Sequence, residues 1–355
     1  MLRRGADWVA RRSLTPTAVR AVFGYYASAG VLDVGSLRLK RRADSTVERM
    51  IREAFADVEE AIAAEFGYGY VSFEYDTKLV LPAKLTLGYL YRTLDEPAHY
   101  EAEAVTRLAV EALLDGDMRD AINDAEYGDF VVDFETTAAD RALIAEIAQE
   151  LLQARVEEQL GRFPDGVREG YEWAVDISER HQDEDEQFRA LMDRAQDGDT
   201  DALDAIERRY KYADFETPPD LFTDEELDLP YLKTQYDRVG VIYDAMIEMY
   251  RETGFAIPDA FQRSIVLAII GAQLWLDDLD DYEADMHDGQ LTPVTAEYLL
   301  AESAAAAKSS VVAISEAYLD RAREQATVAD STLTGIATEY IHRDGDPEKL
   351  PTSRP

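Results

Sequence analysis

Residues 259–285 read DAFQRSIVLAIIGAQLWLDDLDDYEAD. Apolar side chains recur at three-to-four spacing from Phe261 to Leu276, the period of a buried helix face. The run then enters a burst of aspartates that continues through Asp288 to Gly289 and Thr292-Pro293. A helix that is apolar over most of its circumference belongs in a core, so the acids at its end stand at the edge of that core. Two readings are open: solvated surface on a very acidic chain, or carboxylates sharing a cation. Asp278, Asp281 and Asp285 have the spacing D-x-x-D-x-x-x-D. On a continuous helix that spacing spans about 60° of arc. Three carboxylates so close raise one another's pKa unless a cation lies between them. Oxygen ligands of this kind suit Mg2+, which keeps several waters and shares its sphere with phosphate.

Outward from this stretch, the same helical period covers most of the chain. It runs through STVERMIREAFADVEEAIAAEF (45–66), HYEAEAVTRLAVEALL (99–114) and DRALIAEIAQELLQARVEEQL (140–160). It returns in YDRVGVIYDAMIEMYRETGF (236–255) and from Thr295 to about Arg323. Only YGYVSFEYDTKLVL (68–81) and the shorter GDFVVDF (128–134) alternate as strands do. The pattern predicts an all-α fold, one antiparallel helical bundle over residues 43–341. Residues 181–230 carry 17 acids and five bases, with DGDTD and TPPD as breakers, and read as an exposed acidic insertion with short helices. Residues 342–355 read as a disordered tail.

The formal net charge is −37, yet residues 1–42 hold nine Lys or Arg against Asp7 and Asp33. The basic N-terminal arm fits either the acidic body of the chain itself or an anionic lipid surface, a peripheral membrane contact. Acidity spread over the rest excludes the basic footprint of a nucleic-acid binder. It looks like the solvated surface of a halophilic, cytoplasmic protein, where salt screens self-repulsion. With no cysteine in the chain, disulfides and thiolate metal sites are excluded. The longest apolar run, Ile265 to Leu276, is interrupted by Gln273 and too short to cross a bilayer. Glu339-x-x-His342 and Glu96-x-x-His99 have the spacing of di-iron ligands, but suitable inward Glu partners are not evident. The aspartate burst lacks the closing Glu of an EF-hand.

The triplet has a second copy. Asp117, Asp120 and Asp124, in LLDGDMRDAIND, repeat the spacing after another apolar helix. Two helices that each end in an Asp-rich motif resemble the all-α isoprenoid synthases: trans-prenyl diphosphate synthases, squalene and phytoene synthases, and class I terpene synthases. KLVLPAKLTL (78–87) lies where prenyl diphosphate synthases carry a Gly-Lys-Arg-x-Arg-Pro segment. LKTQYD supplies the Lys233-Thr234 pair, and Gln273 resembles the Gln that precedes the second motif. The first motif is degenerate: Gly116-Asp117-Met118-Arg119-Asp120 stands where the family has Asp-Asp-x-x-Asp, and Leu79 and Leu81 replace two arginines.

The resemblance implies an enzyme that uses Mg2+ to ionise a prenyl diphosphate for prenyl transfer or cyclisation. Asp117, Asp120, Asp124, Asp278, Asp281 and Asp285 would hold metal, and Lys78, Lys84, Lys233 and Gln273 would bind substrate. Tyr89, Tyr91, Tyr243 and Trp275 would line an apolar pocket facing the allylic cation. A homodimer is kept open as the assembly. The alternative is a helical paralogue without catalysis, a partner or regulatory subunit of a prenyl synthase.

Overall fold

A computed structural model describes residues 17–353, apart from 30–33, Asp76, Asp124, Glu126 and Asp129. The chain is predominantly helical. The two strand-like stretches find each other: β1 (Phe73–Tyr75) pairs antiparallel with β2 (Phe130–Val132), with Phe73 opposite Val132. Among the described residues there is no other strand, and no helix is long and apolar enough to cross a membrane.

The chain divides into two compact units, where the sequence reading expects one core over 43–341. Unit 1 comprises Met1–Asp33, Glu172–Ala245 and Ile257–Pro355; unit 2 comprises Val34–Tyr171 and Met246–Ala256. Helical period identifies buried faces, but not which faces meet.

In unit 2 the helices Val34–Phe66, Leu81–Thr93, His99–Asn123 and Ala138–Leu160 pack on one another and bury Met50, Ile62, Leu87, Leu90, Leu108 and Ile144. Pro82 at the first turn of Leu81–Thr93, and a capping box between Thr137 and Asp140, set two of the helix starts. In unit 1 the helix Asp259–Ala272 packs along Ala304–Val328. Phe261, Val266, Leu267 and Ile270 are buried there, as the opening stretch predicts.

Three domain expectations are corrected. The boundary at residue 42 does not exist, because the helix Val34–Phe66 runs straight through it. Of the arm, residues 1–16 lie outside the described residues. Helix Thr17–Ala29 packs on Thr332–Asp344, and Arg42 lies 3.9 Å over the Tyr91 ring and 3.6 Å from Glu103.

Residues 181–230 are not an exposed insertion. The helix Asp165–Gln196 continues through 181, and Phe188, Met192, Ile206, Tyr210 and Phe222 belong to the largest described core cluster of unit 1. Acids on the outer face dilute the apolar signal of a helix without preventing its inner face from packing. The tail beyond His342 is likewise built. The last helix ends at Asp344, a 3-10 turn spans Pro347–Lys349, and Leu350 is buried in a second core cluster.

A candidate carboxylate site in unit 1

The burst of aspartates does not follow a regular helix. After Ala272 the chain makes a π-helical turn over Gln273–Asp277, which inserts an extra residue into the ladder. It resumes as Asp278–Asp280, breaks at Asp281 (φ −92°, ψ 3°), and continues as Tyr282–Asp288. Bonds of 2.9 Å from Asp281 N to Asp277 O and from Asp285 N to Asp281 O carry the chain across the break. Gly289, at φ 70°, ends the last piece in the left-handed conformation that glycine accepts without strain.

These irregularities sort the acids. Asp278 is buried, at 2% exposure, whereas Asp277, Asp280, Asp281 and Asp288 are exposed and Asp285 is half-buried. Asp278 Oδ1 accepts from Arg238 Nη1 and from Gln273 Nε2, each at 3.3 Å. Asp278 Oδ2 is buried and accepts no hydrogen bond from any described residue. Arg238 comes from a further π-helical turn, Tyr236–Gly240. One turn earlier, Lys233 pairs with Asp237 at 2.7 Å. Arg189 pairs with Asp185 at 2.6 Å and donates to Gln290 at 2.9 Å.

The electrostatics follow from burial. Burial pushes the Asp278 carboxyl above the usual range, against the attraction of Arg238, and Asp281 adds to the rise. Asp285 is pushed up to about 7, by burial first and then by Asp278 and Asp281, with Arg238 opposing. His181 goes the other way: burial, then Arg238 and Lys233, lower it to about 4 against Asp185, so its imidazole is neutral at pH 7.

Asp285 supplies a pH prediction. An acid whose folded pKa lies above its unfolded value costs the fold nothing below pH 4. It costs progressively more up to pH 7, and a constant amount above. Asp285→Asn is therefore expected to stabilise the metal-free protein by on the order of 2 kcal/mol at pH 8, a figure discounted for partial exposure. The gain should vanish near pH 4. Thermal melts of both proteins with chelator at fixed ionic strength check this; a gain independent of pH would refute it.

The first Asp stretch is arranged differently. In the helix His99–Asn123 the buried acid is Asp115, at 0% exposure, held by Arg119 (2.7 Å), Gln149 (3.1 Å) and Tyr171 (3.3 Å). Asp117 is half-buried and accepts from the Tyr75 hydroxyl, Asp120 is exposed, and Asp124 lies outside the described residues. Leu114, Met118 and Ala121 take the core face, which turns 117 and 120 aside from it. These residues belong to unit 2, the other triplet to unit 1.

Of the expected substrate contacts, Gln273 donates to Asp278, and Lys233, also in unit 1, pairs with Asp237. Lys84 is half-buried on Leu81–Thr93 in unit 2, and Lys78 begins a 3-10 turn, its side chain outside the described ones. The four pocket aromatics are all buried. Tyr91 donates to Glu103 at 2.7 Å, and Trp275 donates to the His342 carbonyl at 3.1 Å, so both have structural partners.

Sequence reading missed Arg238, His181 and Asp185. Arg238 left one signal, a lone arginine in the otherwise apolar-periodic YDRVGVIYDAMIEMY. Among the described residues, no three His, Asp or Glu side chains form a group that could hold a metal ion. Comparison with protein-family models, characterised proteins and solved structures returns no match.

Proposed function

We propose that the chain carries out Mg2+-dependent class I isoprenoid chemistry, ionising a prenyl diphosphate for prenyl transfer or cyclisation. The metal would take one or two carboxylates from among Asp278, Asp281 and Asp285, with the diphosphate beside Arg238. The observation that carries the reading is Asp278 Oδ2, an acceptor buried without a partner among the described residues; Asp281 raises the Asp278 carboxyl, and Asp278 and Asp281 both raise that of Asp285. A buried unpaired acceptor costs free energy unless something meets it.

The donor set fits Mg2+ in chemistry. It is all oxygen, and Mg2+ takes only one or two carboxylates from a protein, completing its sphere with water and substrate phosphate. A closed three-carboxylate cage is therefore not required of the protein alone. Bound there, the metal would neutralise the charge that develops on the leaving diphosphate. Among the residues of the chain, Arg238 supplies fixed positive charge beside Asp278, and Lys233 supplies a second cation nearby in sequence. Gln273 orients Asp278 through Oδ1, which leaves Oδ2 open. The reading rests on this cluster alone and does not count on Asp117, which Tyr75 already engages.

Calorimetric titration of Mg2+ with a non-hydrolysable prenyl diphosphate tests it, together with pyrophosphate release from geranyl, farnesyl and geranylgeranyl diphosphates. Asp281→Asn removes one ligand charge and is expected to weaken binding about fivefold or more, whereas Asp288→Asn, also exposed, should change little. Equal binding by Asp281→Asn and the parent would refute the site. Binding without pyrophosphate release would favour the paralogue that has lost catalysis.

A further inference from the structure

The C-terminal residues do more than end the last helix. Trp275 Nε1 donates to the His342 carbonyl at 3.1 Å, and the two rings stack. Gly345 presses on the same indole so closely that a Cβ there would overlap it. Leu350, at 2% exposure, completes a core cluster with Trp275, Leu279, Tyr282 and Tyr298. The Tyr298 hydroxyl donates to the Pro351 carbonyl at 2.7 Å, and Lys308 reaches Glu348 at 3.0 Å. Between these anchors the 3-10 turn Pro347–Lys349 packs on Asp278–Asp280, and Lys349 Nζ lies 2.7 Å from Asp280.

We propose that residues 345–351 form a docked strap whose Lys349 stands in for a cation on the Asp280–Asp281 edge of the carboxylate cluster, so that divalent-cation binding and strap docking oppose each other. This rests on the cluster being the cation site proposed above. An isolated exposed ion pair contributes little, because two long side chains must be immobilised to make it. Here the backbone that delivers the ammonium is already held at Gly345, Leu350 and Pro351, so only the Lys349 and Asp280 side chains remain to be ordered when the pair forms. Asp281 acts on the same ammonium as Asp280 and Asp346 do. A doubly charged ion held by this cluster would repel Lys349, whose ammonium lies on Asp280, the residue next to Asp281. By linkage, whatever the ion takes from the strap, the strap takes from the ion.

Lys349→Gln removes the competing charge at an exposed position and leaves the anchors in place. Titrated with Mg2+ alone in the full chain, it is expected to bind about threefold to tenfold more tightly than the parent. Lys349→Arg should match the parent. Lys40→Gln makes the same change in net charge on a helix of unit 2, where Lys40 pairs with Asp44, and should leave affinity unchanged. Added Mg2+ should also speed amide deuterium exchange over 346–351 in the parent. Equal affinity in the parent and Lys349→Gln, or the same tightening from Lys40→Gln, overturns the strap and leaves the site standing. If none of the four proteins binds Mg2+, the site reading falls and the strap falls with it.

Discussion

Replacing Tyr210 with alanine is expected to cost the fold about 3–5 kcal/mol, as large aromatic truncations in a core do. Tyr210 lies in the stretch whose composition, 17 acids against five bases over 181–230, looks like solvated surface. On an exposed insertion the same substitution would change stability by roughly 0.5 kcal/mol or less. The structure buries Tyr210 to 2% exposure, with its ring edge-on to Phe188 at 4.9 Å and to Tyr231 at 5.7 Å. Its hydroxyl donates to the Leu291 carbonyl at 2.7 Å, and its own carbonyl accepts from Thr234. Alanine would leave a cavity among these rings and strand the Leu291 carbonyl. Urea unfolding at a fixed molar KCl concentration measures the difference. A loss under about 1 kcal/mol would return 181–230 to the surface and unmake the core of unit 1 as described.

The second large effect belongs to Arg238. Arg238→Met keeps an unbranched, largely apolar stem but removes the guanidinium and its charge, leaving Asp278 buried with only Gln273 to meet it. Breaking a buried ion pair from one side costs roughly 3–5 kcal/mol, because the remaining charge is uncompensated. The Arg238 side chain keeps 27% exposure and the contact is 3.3 Å, which places the expected loss at the lower end, about 3 kcal/mol. The loss should shrink as pH falls toward 4, since burial already holds the Asp278 carboxyl above the usual range and a proton replaces the missing guanidinium. Adding Asp278→Asn should recover most of the stability at pH 7. Denaturant melts of the two single variants and the double variant form the cycle. If the double variant is no more stable than Arg238→Met, the pair is not what holds this part of the fold.

Much of the architecture was legible before any coordinates. Helical period named the buried faces of the segments near 45–66, 99–114, 140–160 and 259–272, and alternation named the two stretches that pair as β1 and β2. Both signals are local: each depends on side chains a few residues apart, and a single chain carries them in full. The charge pattern misled where it was densest. Acids on the outer face of Asp165–Gln196 conceal an inner face that holds Phe188 and Met192, and composition averages the two faces together.

The site divides the same way. Spacing along the chain singled out Asp278, Asp281 and Asp285, and the resemblance to the isoprenoid synthases added Gln273 and Lys233. The sequence by itself also determined the apolar helix that ends at these acids. Which acid is buried was decided only in three dimensions. An angular argument assumes a regular helix, and the π turn at Gln273–Asp277 and the break at Asp281 replace that regularity with positions set by packing. Arg238, 40 residues away in sequence, reaches Asp278 because their two segments are folded together. Lys349 reaches Asp280 because Leu350 is buried beside Leu279 and Tyr282. Contacts of this kind depend on distance between atoms far apart in the chain. A helical period repeats within a few residues and carries no record of them.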